Sequence, residues 1–276
     1  MKTAKTLLRA PLGILASATV THATGRSEDN ADIPLPRLPG FVESAFSPLA
    51  YEVSRQCLTE RPGDGARTAV ALACLMGDTT TADLASRRMV SGRVHNPLLF
   101  MQATPNSVLG HTSREFGITG QMFSLSTLGD TVTELLAMAD LLLEDPELDR
   151  VLVVGVELGG GERPASAYLE LAGGDNPPAW ALPAPAGLAA AMLLGRPAAE
   201  APVSVRSAET YDTGYGGTPA AGHPGSIQGL FDLAAAHRRL LRDGGSHLLV
   251  TQPQAPAFIL TAETEARNET ETHAHQ

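Results

Sequence analysis

The segment at residues 117–145 constrains the fold more than any other part of the chain. Residues 123–127, FSLST, alternate apolar and polar side chains and lie between Gly120 and Gly129, a pattern typical of a strand bounded by turns. The following residues, 131–145, place apolar side chains at helical spacing. The sequence therefore predicts a buried strand that runs directly into a buried helix.

The overall composition limits the class of protein. With 276 residues, of which 43% are hydrophobic, the chain can bury a large core as one sizeable domain or two fused halves. The net charge of −10 argues against a nucleic-acid-binding surface, because phosphate recognition needs a concentrated patch of Lys and Arg. A small acidic carrier protein could still dock on a local basic site.

The cysteines and the hydrophobic runs carry information about chemistry and location. Cys57 and Cys74 are the two cysteines, and their spacing fits no metal site, so we expect two reduced, packed thiols. No run reaches the roughly 20 apolar residues that a membrane-spanning helix needs. We therefore expect no metal, no cofactor and no membrane.

The N-terminal residues allow two interpretations. Three basic residues within the first nine precede the apolar run 10–20, which superficially matches a secretory signal. The alternative is a first core strand, because Pro11 and Gly13 interrupt the run. Since the rest of the chain has no disulfide framework, we favour the strand and a cytoplasmic location.

Hydrophobic patterns elsewhere predict alternating strands and helices. Continuous apolar runs predict strands at 67–77, 149–157, 183–197 and 203–210, with two more within 247–263. Helical spacing predicts helices at 47–60 with Ser47 as N-cap, at 81–89 capped by Asp78, and at 226–242. The Pro- and Gly-rich segments 24–40 and 159–180 are predicted to be irregular connections. Residues 96–109 contain two X-Pro steps and show no clean period.

The segment around Gly129 resembles the thiolase-fold β-ketoacyl synthases. In that family a motif close to GH-S-R-GL-GP--S-STACASG leads to the active-site cysteine. When residues 117–120 (GITG) and 124–127 (SLST) are placed on the motif, Leu128 falls on the alanine and Gly129 on the cysteine. The position of the nucleophile is therefore occupied by glycine.

The resemblance extends over residues 8–263 by order of elements, and residues 104–157 carry it most specifically. It implies a thiolase-like layered α/β/α/β/α fold over residues 1–263, truncated in its C-terminal half between Gly195 and Gly222. Residues 264–276 are then a polar tail that we expect to be disordered.

The chemistry of the resembled family explains what this chain has lost. Condensation needs a thiolate that accepts the acyl chain and two histidines that donate to a developing enolate oxygen. Gly129 has no thiol, and His223 fits one family histidine position. No equivalent of the second histidine motif is present, since residues 213–219 read TGYGGTP. Self-contained condensation is therefore not expected.

Other polar residues near the motif have simpler explanations. We expect His111, within GHTSREFG, to hold a turn or a dimer contact. Ser124, Ser126 and Thr127 lie outside any Gly-x-Ser-x-Gly pattern, so a serine nucleophile is not indicated.

The resemblance implies a noncatalytic chain-length-factor subunit that pairs with an active β-ketoacyl synthase and shapes its acyl tunnel. In the family the strand before the nucleophile pairs across the dimer axis, and a carrier protein docks transiently. The resulting candidates for tunnel and interface are Phe123, Leu125, Thr127, Leu128, Thr131, Thr133, Glu134 and Met138. The alternatives are a condensing or acyl-transferring enzyme with an atypical active site, and a scaffold that binds acyl carrier protein.

Overall fold

The structure is a computed structural model that describes residues 7–23, 35–92, 97–174, 186–197, 201–208, 225–252 and 255–262. Within these ranges the strands are β1 Leu12–Ala23, β2 Thr68–Ala73, β3 Met122–Leu125, β4 Arg150–Leu158, β5 Ala186–Gly195, β6 Val203–Ser207, β7 Ser246–Leu249 and β8 Phe258–Ala262. The α-helices are α1 Phe46–Glu60, α2 Thr79–Val90, α3 Pro97–Gln102, α4 Asn106–Phe116, α5 Thr131–Leu142, α6 Glu162–Ala172 and α7 Gln228–Asp243.

The described strands form one mixed sheet in the order β3-β2-β4-β5-β1-β6-β8-β7. β2 runs parallel to β3 and to β4, and the other pairings are antiparallel. β1 pairs with β5 on one side and with β6 on the other, which confirms that the N-terminal apolar run forms a core strand. β3 and β7 are the two outer strands.

Helices cover both faces of this sheet. Side chains of β4 alternate between two apolar clusters: Val151 and Val153 pack under α5 and α7, whereas Leu152 and Val154 pack under α1 and α4. A strand covered on both faces is mostly apolar, and all nine residues of β4 are buried, including Arg150 and Glu157 near its two ends. The α/β class is confirmed. The described residues supply one sheet and two helical layers of the layered arrangement that the resemblance implies.

At 96–109, where the sequence shows two X-Pro steps and no clean period, the structure has α3 and the beginning of α4. Pro97 is the first residue of α3 and Pro105 precedes α4. Proline is tolerated at such positions because the first N–H groups of a helix have no partner within it. The two prolines therefore mark helix starts.

The expectation of a loop at 159–180 is wrong in part, because α6 occupies 162–172. Within α6 only Pro164 is buried. The Gly and Pro residues on both sides of the helix are what favoured a loop in the sequence.

Two predicted helix caps have different outcomes. The carboxylate of Asp78 accepts a hydrogen bond from the Thr81 N–H at 3.0 Å, which confirms Asp78 as the cap of α2. Ser47 is not the cap of α1, since the helix begins at Phe46 with Ala45 as N-cap and Ser47 is buried in the first turn. The Phe46 N–H instead donates to the Ser44 hydroxyl at 3.1 Å.

α7 is 16 residues long and extends about 24 Å at 1.5 Å per residue. It packs against β1, β5, β6, β7 and β8 and so covers the half of the sheet that lies away from β3. No helix in the described part of the chain is both long and apolar enough to cross a bilayer.

Some sequence-based expectations lie outside the described residues. They concern the tail at 264–276 with its boundary at 263, the family histidine position at His223, the segment 213–219, and residues 24–34 of the connection predicted at 24–40.

Candidate functional site

The connection between β3 and α5, residues 126–130, is here called the elbow. Asp130 caps α5, because its carboxylate accepts hydrogen bonds from the Thr133 N–H at 2.9 Å and from the Thr133 hydroxyl. The Ser126 hydroxyl donates to the Leu75 carbonyl at 2.6 Å, which joins the elbow to the residues after β2. The predicted direct passage from strand to helix is confirmed, with α5 ending at Leu142.

Gly129 lies in the elbow at the position that the motif assigns to a nucleophile. Its N–H donates to the Thr127 hydroxyl at 3.2 Å. A Cβ atom at this position would lie 2.8 Å from Oε1 of Glu134, closer than real Cβ contacts. The Glu134 carboxylate is the end of an exposed, flexible side chain, which would have to shift to admit a side chain at residue 129.

A buried hydrogen-bonded chain lies beneath the elbow. The Thr131 hydroxyl, at the start of α5, donates to the Ser226 carbonyl at 2.8 Å, and the Ser226 N–H donates to Oε2 of Glu157 at 2.8 Å. All three residues are buried. The chain links the starts of α5 and α7 to the end of β4.

Glu157 was not among the candidates from the sequence. Burial raises the pKa of Glu157 to about 7, and hydrogen bonds from Ser226 and from the Ile227 backbone partly oppose this shift. One signal in the sequence could have identified it, since Glu157 is the charged residue in the otherwise apolar run 151–158. A buried carboxyl that titrates near neutrality is unusual enough to mark a site worth testing.

The two cysteines are free and buried, as predicted. Burial raises the pKa of Cys57 to about 12 and that of Cys74 to about 11. A thiol reacts as the thiolate, so neither side chain is prepared for nucleophilic attack.

Three of the sequence candidates on β3 and α5 come together on one face of the sheet. Phe123, Leu125 and Met138 are partly buried and pack against the apolar cluster under α5 and α7. The predicted strand is thus present, but it is half-buried and not fully buried, because β3 is an outer strand.

The other candidates divide into buried and exposed side chains. Thr127 and Thr131 are buried, and Thr133 is half-buried beside Asp130. Leu128 is 60% exposed and Glu134 is also exposed. Leu128 in the elbow and Glu134 in the first turn of α5 are therefore the candidates that reach solvent.

His111 does not hold a turn, because it lies within α4. Its ring packs edge-on against Tyr51, with ring centroids 5.4 Å apart, and against Phe41 at 6.3 Å. The Tyr51 hydroxyl donates to Glu115 at 2.7 Å, and burial together with that carboxylate raises the pKa of Tyr51 to about 12. This arrangement packs α4 onto α1.

β3 has one free edge among the described residues. On its paired side the Val70 N–H donates to the Gln121 carbonyl at 2.8 Å and the Cys74 N–H donates to the Leu125 carbonyl at 3.1 Å. Backbone N–H and C=O groups alternate in direction from one residue of a strand to the next. Those of Met122 and Ser124 therefore point away from β2. An outer strand with unpaired backbone groups is a template for another strand.

An apolar surface lies next to the same end of the sheet. Its members are exposed side chains on α2 and α3: Met89, Val90, Leu98, Phe100 and Met101. Phe100 is 71% exposed, and side chains of both helices line a cleft of about 570 Å³. A Cβ at Gly77 would lie 3.0 Å from Pro105, so the residues after β2 touch the α3–α4 junction. Exposed apolar side chains in such a group typically mark an interaction site.

No protein-family model and no curated protein matches the sequence. Solved structures do match the fold. One is a ketosynthase in complex with its chain length factor from Xenorhabdus doucetiae, with a TM-score of 0.56, 15% identity, and coverage of 92% of this chain and 100% of that one. Another is a type II polyketide synthase acyl-carrier protein in complex with its ketosynthase bound to the hexaketide, with a TM-score of 0.59, 11% identity, and coverage of 92% and 100%.

A third similar structure is the ishigamide ketosynthase/chain length factor, with a TM-score of 0.51 and 16% identity over 72% of this chain and 67% of that one. At identities this low, the likeness establishes the architecture. The chain has the thiolase-like fold of the ketosynthases, as its sequence motif implies.

Proposed function

We propose that the chain is a noncatalytic ketosynthase-like subunit, a chain length factor, which pairs with an active β-ketoacyl synthase and shapes its acyl tunnel. One observation carries the proposal: the strand that leads into the elbow is an outer strand with a free edge, and the elbow presents Gly129 in place of a nucleophile. Two of the structures with this fold contain a ketosynthase with a chain length factor.

The groups available for acyl chemistry favour a subunit without its own catalysis. Transfer of an acyl chain requires a nucleophile at the elbow, and Gly129 offers only backbone atoms there. Cys57 and Cys74 are buried thiols with raised pKa values, which disfavours the alternative of an atypical condensing enzyme.

The partnership follows from what the β3 end of the sheet leaves uncovered. A strand of the ketosynthase would satisfy the backbone groups of Met122 and Ser124, and its apolar side chains would cover the apolar surface on α2 and α3. Obligate interfaces bury roughly 2,000 Å² or more and are apolar at the centre. A strand edge and an adjoining apolar surface together suit an interface of this size.

The proposed tunnel-shaping role rests on side chains of β3, the elbow and α5. Leu128 and Glu134 reach solvent, so we place these two nearest the partner's acyl chain. The remaining candidates would support the wall of the acyl tunnel from positions that are more buried than Leu128 and Glu134: Phe123, Leu125, Thr127, Thr131, Thr133 and Met138. Close-packed interiors respond to a change of a single methylene, so a side chain at a tunnel end can limit product length.

The proposal includes a cytoplasmic location and transient contact with an acyl carrier protein. One of the structures with this fold contains an acyl-carrier protein bound to its ketosynthase. The carrier protein would deliver acyl groups to the catalytic subunit. This chain, as the neighbouring subunit, would contact the carrier protein transiently during that delivery.

Co-expression with an active ketosynthase, followed by size-exclusion chromatography, tests the proposal. Ser124→Pro removes an N–H that points to the free edge and leaves the hydrogen bonds to β2 in place, so it should abolish co-purification without unfolding the chain. Ser124→Ala is the matched control and should co-purify normally. A chain that never co-purifies with a ketosynthase, or a Pro variant that does so as well as the control, would contradict the proposed pairing.

A further inference from the structure

The exposed methionines of the described chain lie at the β3 end of the sheet. Met89 on α2 is 62% exposed and Met101 on α3 is 61% exposed, and both line the cleft between these helices. Met76, in the connection that follows β2, is exposed to a smaller extent. A single exposed apolar side chain is ordinary on a protein surface, whereas a group of them marks an interaction site.

The other sulfur atoms within the described residues are less accessible. Met192 in β5 is fully buried, and Met122 and Met138 are partly buried. Cys57 and Cys74 are buried thiols, and burial raises the pKa of both. A thiol reacts with peroxides as the thiolate, so the two cysteines are poorly prepared for oxidation. The accessible sulfur is therefore the thioether sulfur of the exposed methionines.

Oxidation would change the polarity of these side chains while leaving their carbon skeleton unchanged. The thioether sulfur donates a lone pair to one oxygen of hydrogen peroxide, the O–O bond breaks, and methionine sulfoxide and water form. The sulfur is oxidised and the peroxide is reduced by the same electron pair. The S=O group accepts hydrogen bonds strongly, whereas the thioether is a weak acceptor on an apolar side chain.

The cleft is apolar where Met89 and Met101 lie. Ala82 and Ala85 of α2 and Leu99 of α3 line it beside the two methionines. An apolar partner surface packed on the cleft suits the reduced side chains. Against such a surface, a sulfoxide oxygen would be buried without a hydrogen-bond donor, which is unfavourable.

Two arginines also line the cleft, and each already faces a carboxylate. Arg163 pairs with Asp83 at 2.6 Å, and Arg88 lies 3.7 Å from Glu43. Hydrogen bonds between a guanidinium and a carboxylate are stronger than those between neutral groups. A sulfoxide would therefore compete with a charged acceptor for these donors.

We propose that Met89 and Met101 form a peroxide-sensitive modification site that controls pairing with the ketosynthase. The inference rests on the proposed function, in which the ketosynthase covers the apolar surface on α2 and α3. The reduced chain presents an apolar cleft and pairs, and the sulfoxide form presents polar groups there and does not. Methionine sulfoxide reductases reverse this modification, so the control is reversible.

Pairing and oxidation exclude each other in this arrangement. Met89 and Met101 are exposed in the free chain, and the ketosynthase would cover them in the pair. Peroxide therefore acts on the free chain before assembly, and the assembled pair is protected. A subunit that meets peroxide while it is unpaired is kept out of the complex.

The test oxidises the full-length chain by itself with hydrogen peroxide and removes the peroxide before an active ketosynthase is added. This order spares the catalytic cysteine of the ketosynthase, which peroxide would also attack. Tryptic mass spectrometry locates the sulfoxides, since Met76, Met89 and Met101 fall on separate peptides. Size-exclusion chromatography and calorimetric titration then measure the pairing.

We expect sulfoxides at Met89 and Met101 while Met192 stays reduced. The affinity for the ketosynthase should fall by about tenfold or more, because burial of a polar group without a partner costs on that order. Treatment with methionine sulfoxide reductases should restore the affinity. In the assembled pair, Met89 and Met101 should oxidise more slowly than in the free chain.

Met89→Leu/Met101→Leu is the oxidation-resistant variant, because leucine keeps the apolar volume and has no sulfur. It should pair as the wild type does, both before and after peroxide. Met76→Leu is the matched control: it removes an exposed methionine outside the α2–α3 surface and should keep the wild-type loss. Urea unfolding of the oxidised chain should be unchanged, since exposed side chains contribute little to stability.

Undiminished pairing by a chain that carries both sulfoxides would overturn the inference, and so would Met89 and Met101 that stay reduced under peroxide. A double leucine variant that loses pairing as the wild type does, or peroxide resistance conferred by Met76→Leu, would place the effect at another residue. Oxidation that unfolds the chain would show damage to the core and also overturn it. An untreated chain that pairs with no ketosynthase is a separate outcome, which rejects the proposed function.

Discussion

The centre of the sheet and its β3 end use similar apolar residues in different ways. β4 has nine buried residues and is paired along both edges, whereas β3 has four half-buried residues and is paired along one. The centre therefore supplies stability through complete burial. The β3 end keeps backbone groups and apolar side chains available for another molecule, and the elbow lies there.

The largest expected effect is on stability at the centre. Leu152→Ala removes a fully buried side chain from β4 and should lower the free energy of unfolding by about 2 to 5 kcal/mol. Leu125→Ala, on half-buried β3, should cost only about 1 kcal/mol. Urea unfolding measures both, and equal costs would contradict the contrast between centre and edge.

Glu157 provides a pH test at the boundary between these regions. Burial raises its pKa from 4.5 to about 7, so the folded protein holds this proton more tightly than the unfolded chain does. The Glu157 contribution to stability is therefore most favourable below pH 4.5, declines as the pH rises to about 7, and then becomes constant.

Glu157→Gln should remove this dependence. At 1.36 kcal/mol per pKa unit, the variant should gain about 2 to 3 kcal/mol relative to wild type between pH 5 and pH 8. Thermal or urea unfolding at the two pH values gives the comparison, with exposed Glu60→Gln as the control. A difference that does not change with pH would mean that the carboxyl titrates normally.

Restoring a thiol at the elbow should not restore condensation. In Gly129→Cys the new side chain meets the Glu134 carboxylate, which disfavours the thiolate, and the histidine pair of the resembled family is incomplete. Each missing donor typically costs about 10²-fold or more in rate. Mass spectrometry should find no acyl adduct after incubation with acyl carrier protein.

A double variant separates the effect of the Glu134 carboxylate from that of the incomplete histidine pair. Adding Glu134→Ala to Gly129→Cys should increase the rate at which iodoacetamide alkylates the new thiol, yet condensation should remain absent. Steady condensation by the single variant would show that the elbow retains a complete catalytic set.

The smallest expected effect on stability is at Leu128. Leu128→Trp enlarges an exposed side chain at the elbow, so it should leave unfolding unchanged and shorten the products of the reconstituted pair. Leu169→Trp, on exposed α6, is the control and should not alter product length. Chromatography with mass spectrometry measures the lengths of the products. Unchanged product lengths for Leu128→Trp would show that Leu128 does not line the tunnel.

Thr133→Trp and Met138→Trp test the deeper candidates less cleanly. Met138 packs against the apolar cluster under α5, where extra volume typically costs about 1 to 3 kcal/mol. A change in product length from these variants is informative only when the complex with the ketosynthase remains intact.

Several elements could be predicted because local patterns specify them. The β3–α5 passage, the cap at Asp78 and the buried run of β4 each follow from residues adjacent in sequence. α3 was missed because six residues are too few to show a period, and α6 was missed because Gly and Pro residues on both sides of it favour a loop.

The sequence by itself determined that glycine occupies the nucleophile position and that a strand passes directly into α5, because a motif and a periodicity depend only on neighbouring residues. Only the tertiary structure decided that β3 is an outer strand, that Glu157 meets Ser226 across 69 positions, and that Met89 and Met101 line one cleft. Strand order, burial and the clefts between helices depend on which distant elements pack together, and that choice is made by the whole core.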